Sequence, residues 1–192
     1  MSTFIVQMPP ALRLTDAQFE LLTAANRKLR IELSAKGELI FMPPTGGETG
    51  NRNFEIYIDL GIWNRQQGLG KAFDSSTGFR LPNGATRSPD AAWIALSRWE
   101  ALTAEQRKRF LPLCPDFAIE LVSETDEVSD TRLKMQEYID NGLRLGWLIN
   151  PKQRQIEIYR STQVVELLVD PQSLSGEDVL VGFSLDLRSI WD

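Results

Sequence analysis

Asp90, Glu120 and Lys134 are the residues whose types and neighbours point to chemistry. Glu120 lies in Phe117-Ala118-Ile119-Glu120-Leu121-Val122, a nearly all-apolar run typical of a central strand. In an extended chain Phe117, Ile119 and Leu121 share one face, and Ala118, Glu120 and Val122 the other. An ionised carboxylate in such a strand costs several kcal/mol unless a cation meets it. A structural arginine would meet it as well as a metal would. Asp90 follows Ser88-Pro89. Proline stands at the start or edge of a strand, so Asp90 opens the strand that follows it. Satisfying local backbone N–H groups is the plain alternative role for an Asp there. Lys134 lies in a helical segment beside Met135, Tyr138 and Ile139, where a solvated stem is the ordinary role. Glu48, at the start of a long helix, reads by itself as a helix-dipole partner. As a group these residues mean more. Two carboxylates on neighbouring strands can chelate one Mg²⁺. A lysine at the same place can orient or deprotonate a water and stabilise charge developing on phosphorus.

The residue types that are missing narrow the field. The 192 residues include no His and one Cys. There is therefore no Ser-His-Asp or Cys-His triad, no HExxH zinc site and no imidazole base. Cys114 alone makes neither an intrachain disulfide nor a cysteine zinc cluster. Carboxylate, lysine, hydroxyl and backbone chemistry remain, which favours an oxygen-liganded metal such as Mg²⁺ or Mn²⁺. Lys and Arg number 21 against 26 Asp and Glu, a formal charge of −5. That balance opposes a coat of non-specific nucleic-acid contacts but permits a local basic groove. Lys71, Arg80 and Arg87 are the candidate phosphate contacts on segments flanking the acids, although most such residues are ordinary surface charges. The longest apolar stretches, such as residues 91–96, are far too short for a membrane span. The first ten residues lack the basic and long apolar regions of a signal peptide, so a cytoplasmic protein is expected.

The elements that must position these residues alternate in type. Thr15-Asp16-Ala17-Gln18 matches a capping box, with Phe19, Leu21, Leu22 and Ala25 following at helical spacing. Leu29-Arg30-Ile31-Glu32-Leu33 alternates apolar with charged and reads as a strand with one wet face. Residues 38–42 return as its hairpin partner after a turn at Ala35-Lys36-Gly37. A long helix is predicted from Glu48, with Phe54, Ile58, Gly61 and Ile62 on its stripe and Gly68 past its end. Strands are predicted at 71–74, 78–81 and 87–96, with a turn at Pro82-Asn83-Gly84. A second capping box, Thr103-Ala104-Glu105-Gln106, opens a short surface helix. After the 117–122 strand come a helix over 130–141 closed by Gly142, then strands at 145–150, 155–160 and 164–169. The tail from Val179 is apolar enough to pack back on the body. The pattern predicts one mixed α/β (α+β) domain over 1–192, with a central mixed sheet flanked by helices and an extra N-terminal hairpin.

Several stretches carry a family likeness. They are Met42-Pro43-Pro44-Thr45-Gly46-Gly47-Glu48, Phe73-Asp74-Ser75-Ser76-Thr77-Gly78-Phe79 and Arg87-Ser88-Pro89-Asp90-Ala91-Ala92-Trp93. Cys114-Pro115-Asp116 leads into the Glu120 strand, and Lys134-Met135-Gln136-Glu137-Tyr138-Ile139-Asp140-Asn141-Gly142 and Gly146-Trp147-Leu148-Ile149-Asn150-Pro151 complete the set. Over nearly its whole length the chain resembles the Uma family of restriction-endonuclease type, within the PD-(D/E)XK nuclease superfamily. The resemblance implies an αβββαβ core, with Asp90 as the Asp of the PD pair and Glu120 as the acid of the (D/E)XK element. It implies a DNA endonuclease using Mg²⁺ or Mn²⁺ held by Asp90 and Glu120, with Glu48 serving a second metal or a bridging water. A homodimer is expected, since enzymes of this kind that cut both strands often pair two sites. Two departures stand out. Val122 occupies the place of the usual lysine, which leaves Lys134 on the next helix as the matching position. Ser123-Glu124-Thr125 stands where Ser-Pro-Ser is common. That change and the acidic balance support an alternative, a catalytically inactive member of the fold serving as a binding or assembly module. In the first reading Lys134 should reach Glu120, and the clustered acids should raise one another's pKa without a cation.

Overall fold

The computed structural model describes residues 3–124 and 126–191. Thr125 of the Ser123-Glu124-Thr125 loop lies outside the described residues. The chain opens with a short strand β1 (Phe4–Val6) and helix α1 (Asp16–Ala25). Both halves of the expected capping box form at Thr15 and Gln18, satisfying donors that a helix start leaves free. Strands β2 (Arg30–Leu33) and β3 (Leu39–Met42) form the predicted hairpin. Helix α2 (Gly47–Gln67) ends where Gly68 turns left-handed at φ +66°, a conformation that costs glycine little.

Next come β4 (Gly70–Asp74), β5 (Phe79–Arg80), β6 (Thr86–Arg87), β7 (Ala91–Ala95) and helix α3 (Leu96–Ala101). Strand β8 (Phe117–Leu121) leads through helix α4 (Val128–Asp140) to β9 (Leu145–Asn150), β10 (Gln155–Arg160) and β11 (Glu166–Val169). The tail forms a hairpin of β12 (Ser173–Ser175) and β13 (Ser184–Asp186), then a short helix α5 (Arg188–Trp191).

Two larger sheets result. A six-stranded sheet runs β11-β10-β9-β8-β7-β4, with β8 and β9 parallel across the α4 crossover and the other pairs antiparallel. A five-stranded antiparallel sheet runs β1-β3-β2-β6-β5. The predicted central mixed sheet flanked by helices is therefore present, and the N-terminal hairpin is part of a larger second sheet. One face of the six-stranded sheet packs Ile119, Leu121 and Trp147 against α2 and the tail. The other packs Ala92, Ala118 and Leu148 against Met135 and Tyr138 of α4. Among the described residues no helix is long and apolar enough to cross a membrane.

Two local readings are corrected. The 87–96 segment is not one strand. Ser88-Pro89-Asp90 interrupts it, so β6 joins the smaller sheet through β2 and β5 while β7 joins the larger one. Proline brings no N–H to a ladder, and the Ser88 N–H bonds a side chain, Glu32, instead of a neighbouring strand. The stripe on α2 is also displaced. Asn53, Ile56, Leu60 and Trp63 are buried, whereas Phe54 is 60% exposed and Ile62 50%. Both sets have helical spacing, and the larger apolar contact decides between them. Trp63 packs on Trp93 and Phe183, with ring centroids 5.7 and 5.4 Å away, and its indole N–H donates to the Val181 carbonyl.

Candidate active site

The antiparallel register of β7 and β8 pairs Ala91 with Ile119 and Ala92 with Ala118. One step further along the same register, Asp90 stands across from Glu120. Asp90 Oδ2 accepts the Leu121 N–H at 2.9 Å, which ties the carboxylate to the end of β8. The Asp90 carbonyl accepts the Tyr57 hydroxyl at 2.8 Å, and the same hydroxyl accepts the Ser75 N–H, so α2 braces this corner. Glu120 is buried in β8, and its Oε1 accepts the Tyr138 hydroxyl and the Lys134 ammonium, both at 2.9 Å. Tyr138 and Lys134 are four residues apart on α4 and so fall on one helix face.

Lys134 thus reaches Glu120, and it also reaches Glu32 Oε1 at 3.0 Å. The wet face expected for β2 is in fact covered: Glu32 is 2% exposed. Ile31 and Leu33 join Phe19 in a separate small core, so the alternation sends Glu32 the other way, toward α4 and the six-stranded sheet. There its Oε2 accepts Arg87 at 3.1 Å and its Oε1 accepts the Ser88 N–H at 2.8 Å.

The electrostatics follow from these contacts. Burial pushes the Glu120 carboxyl up, Lys134 opposes it, and Asp90 and Glu32 push further, leaving it at about 7. Burial also raises Asp90, against the Leu121 N–H and the charges of Lys134 and Arg30. At Glu32 burial acts upward, but Lys134, Arg87 and the Ser88 N–H together prevail and hold the carboxyl low. Burial disfavours the Lys134 ammonium, yet Glu120 and Glu32 outweigh it and raise its pKa. Lys134 is therefore a fixed positive charge, suited to orienting a water and stabilising an anion. It is not poised to take a proton.

Asp90 Oδ1 and Glu120 Oε2 accept no hydrogen bond among the described residues, which leaves one oxygen from each carboxylate for a ligand. Among the described residues no three acidic or cysteine side chains converge as a ready metal cage. Two carboxylates completed by water and a phosphate are the usual holding for Mg²⁺, so the donor set fits that ion.

The other candidates lie elsewhere. Glu48 is in the first turn of α2 with its side chain 79% exposed, beside Arg52 at 3.6 Å. It is nine residues, about 13 Å of helix, from the Tyr57 that touches Asp90. Arg87 is enclosed between Glu32 and Glu137, at 3.1 and 2.6 Å, because β6 turns inward at the sheet junction. Arg80 pairs with Asp16 and Glu20 at 3.2 and 2.7 Å, fastening α1 to β5. Neither arginine presents a free guanidinium to a phosphate. Lys71 is exposed but lies opposite Ile94, four steps along β7 from Asp90, or about 13 Å. The sequence reading missed Glu32, Tyr138 and Arg30. Arg30 donates to the Ser75 carbonyl at 2.7 Å, and its charge reaches Asp90. The alternation around Glu32 was visible; what covers that face was not.

Comparisons with known proteins agree with this architecture. The family model Uma2, described as "Putative restriction endonuclease", matches residues 16–188. A crystal structure from Anabaena variabilis, described as "a putative nuclease belonging to DUF820", superposes with a TM-score of 0.72 at 19% identity. The alignment covers 84% of this chain and 89% of that one. No curated protein matches the chain.

Proposed function

Because the chain belongs to the Uma2 family, we propose that it is a metal-dependent DNA endonuclease that hydrolyses phosphodiester bonds at Asp90 and Glu120. The observation that carries the reading is the strand register that sets the half-buried Asp90 carboxylate opposite the buried Glu120 carboxylate, with Lys134 on Glu120. Asp90 and Glu120 would hold Mg²⁺ or Mn²⁺, with a backbone carbonyl near Leu121 as a further ligand. The metal would lower the pKa of a water and neutralise the scissile phosphate. The Lys134 ammonium would orient that water and stabilise the charge that forms at phosphorus. Of the three candidate contacts Lys71 alone keeps an exposed side chain without an acidic partner among the described residues, and Arg30, whose charge reaches Asp90, would join it in meeting the DNA backbone. Glu48, exposed at the head of α2, has no part in this reading. A homodimer in the cytoplasm completes the proposal, since two strands require two cuts. A monomer in sedimentation velocity at micromolar protein would count against that element.

The test is plasmid cleavage with Mg²⁺ or Mn²⁺, with EDTA, and with the variants Asp90→Asn and Glu120→Gln. Metal-dependent nicking that both variants lose is expected; equal nicking by native protein and variants sinks the assignment. A second reading, an inactive module of the same fold, draws on the pairing of Arg80 and Arg87 with acids. DNA binding without cleavage under any of these metals would favour it.

A further inference from the structure

We propose that Glu32, brought in by the smaller sheet, is the positioning residue that holds the Lys134 ammonium beside Glu120. The inference rests on the nuclease reading and deepens it, because it makes the five-stranded sheet a working part of the site.

A lysine carries three donors on a flexible four-carbon stem, so a single carboxylate partner fixes its head poorly. Lys134 has two partners on different sheets, Glu120 from β8 at 2.9 Å and Glu32 from β2 at 3.0 Å. The two are anchored differently. Glu32 is held by the Arg87 guanidinium and the Ser88 N–H besides the lysine, and Arg87 is itself held by Glu137. Among the described residues Glu120 has only the Tyr138 hydroxyl besides the lysine, and it stands across from Asp90. Glu32 is thus the fixed post, and Glu120 is the group whose oxygens are free to be engaged otherwise. When they are, Lys134 keeps a full counter-charge and stays in place. Without the Glu32 charge, the ammonium would lean wholly on Glu120 and compete with any cation there.

The test uses Mn²⁺ affinity by titration calorimetry on native protein, Glu32→Gln, Lys134→Met and the double variant. Gln keeps an acceptor for the Ser88 N–H, and circular dichroism checks that each variant is folded. Glu32→Gln should weaken Mn²⁺ binding about tenfold, in the range seen for groups that orient metal ligands. It should have no effect in the Lys134→Met background, because Glu32 acts through the lysine. An equal loss in both backgrounds would mean that the Glu32 charge acts on the metal directly, and would overturn the proposal. A second measurement needs neither metal nor variant: the through-hydrogen-bond NMR coupling from Lys134 Nζ to the carboxylate carbons. Couplings to both Glu32 and Glu120 are expected in the native protein. A coupling to Glu120 without one to Glu32 would refute the positioning role. If native protein binds no Mn²⁺, the nuclease reading fails, and the coupling still decides whether Glu32 holds the lysine.

Discussion

Glu32 on the smaller sheet and Glu120 on the larger one touch the same ammonium, yet their carboxyl groups move in opposite directions. Both are buried, so burial penalises each. The difference lies in the rest of their surroundings. Glu32 gains Arg87 and a backbone N–H in addition to Lys134, and its charge is fully met. Glu120 gains one ammonium and one hydroxyl while facing Asp90 and Glu32, and its charge is not met. A satisfied carboxylate holds a structure together, whereas an unsatisfied one beside a second carboxylate is a place for a cation.

The largest break in this contrast comes from removing what the two share. Lys134→Met should cost about 3–5 kcal/mol of stability near neutral pH, since it leaves buried Glu120 without a cation and takes one of two from Glu32. Chemical denaturation measures it, and a loss under about 1 kcal/mol would mean that the ammonium supports neither glutamate.

Glu120→Gln should do the reverse. A folded-state pKa raised from 4.5 to about 7 means that the native state binds more protons in that interval. The contribution of Glu120 therefore falls as pH rises from 4.5 to 7 and stays low above it. At about 1.4 kcal/mol per pH unit this is about 3 kcal/mol. Metal-free Glu120→Gln should be more stable than the native protein at pH 8 by up to that amount, and the gap should close below pH 4.5. A variant less stable at pH 8 would show that Glu120 is a structural acid like Glu32.

Glu32→Gln sharpens the comparison from the other side. A lowered carboxyl pKa gives stability that is present above its unfolded value of 4.5 and lost as pH falls through the folded one. The variant should therefore be weaker at pH 7, by about 1–2 kcal/mol as is usual for a disturbed buried network. The deficit should fade in acid. A constant deficit across pH would trace the loss to packing and not to charge.

The smallest effect is expected at Glu48, whose exposed pairing with Arg52 contributes little. Glu48→Ala should change stability by less than about 0.5 kcal/mol and leave plasmid cleavage within about threefold of native. A cleavage loss as deep as that of Glu120→Gln would place Glu48 in the reaction despite its exposure.

Local signals account for much of what the sequence revealed. The capping box at Thr15, the left-handed stop at Gly68 and the apolar run around Glu120 are decided by neighbours a few residues away. The Uma likeness drew attention to Asp90, Glu120 and Lys134 together. Elsewhere local signals were indifferent. Two stripes on α2 had equal claim by spacing, and Trp63 prevailed because Trp93 and Phe183 were there to receive it. Arg87 looked like any surface arginine until β6 turned inward between Glu32 and Glu137. The sequence by itself determined helices α1, α2 and α4, the β2–β3 hairpin and a strand carboxylate that needed a cation, because hydrogen-bond periodicity and burial cost are properties of short segments. Only the tertiary structure decided that Glu32 shares the lysine that the family likeness had already set at Glu120. The break at Ser88-Pro89-Asp90 folds one sheet onto the other, and charges 88 residues apart, on Glu32 and Glu120, come to meet on a single lysine.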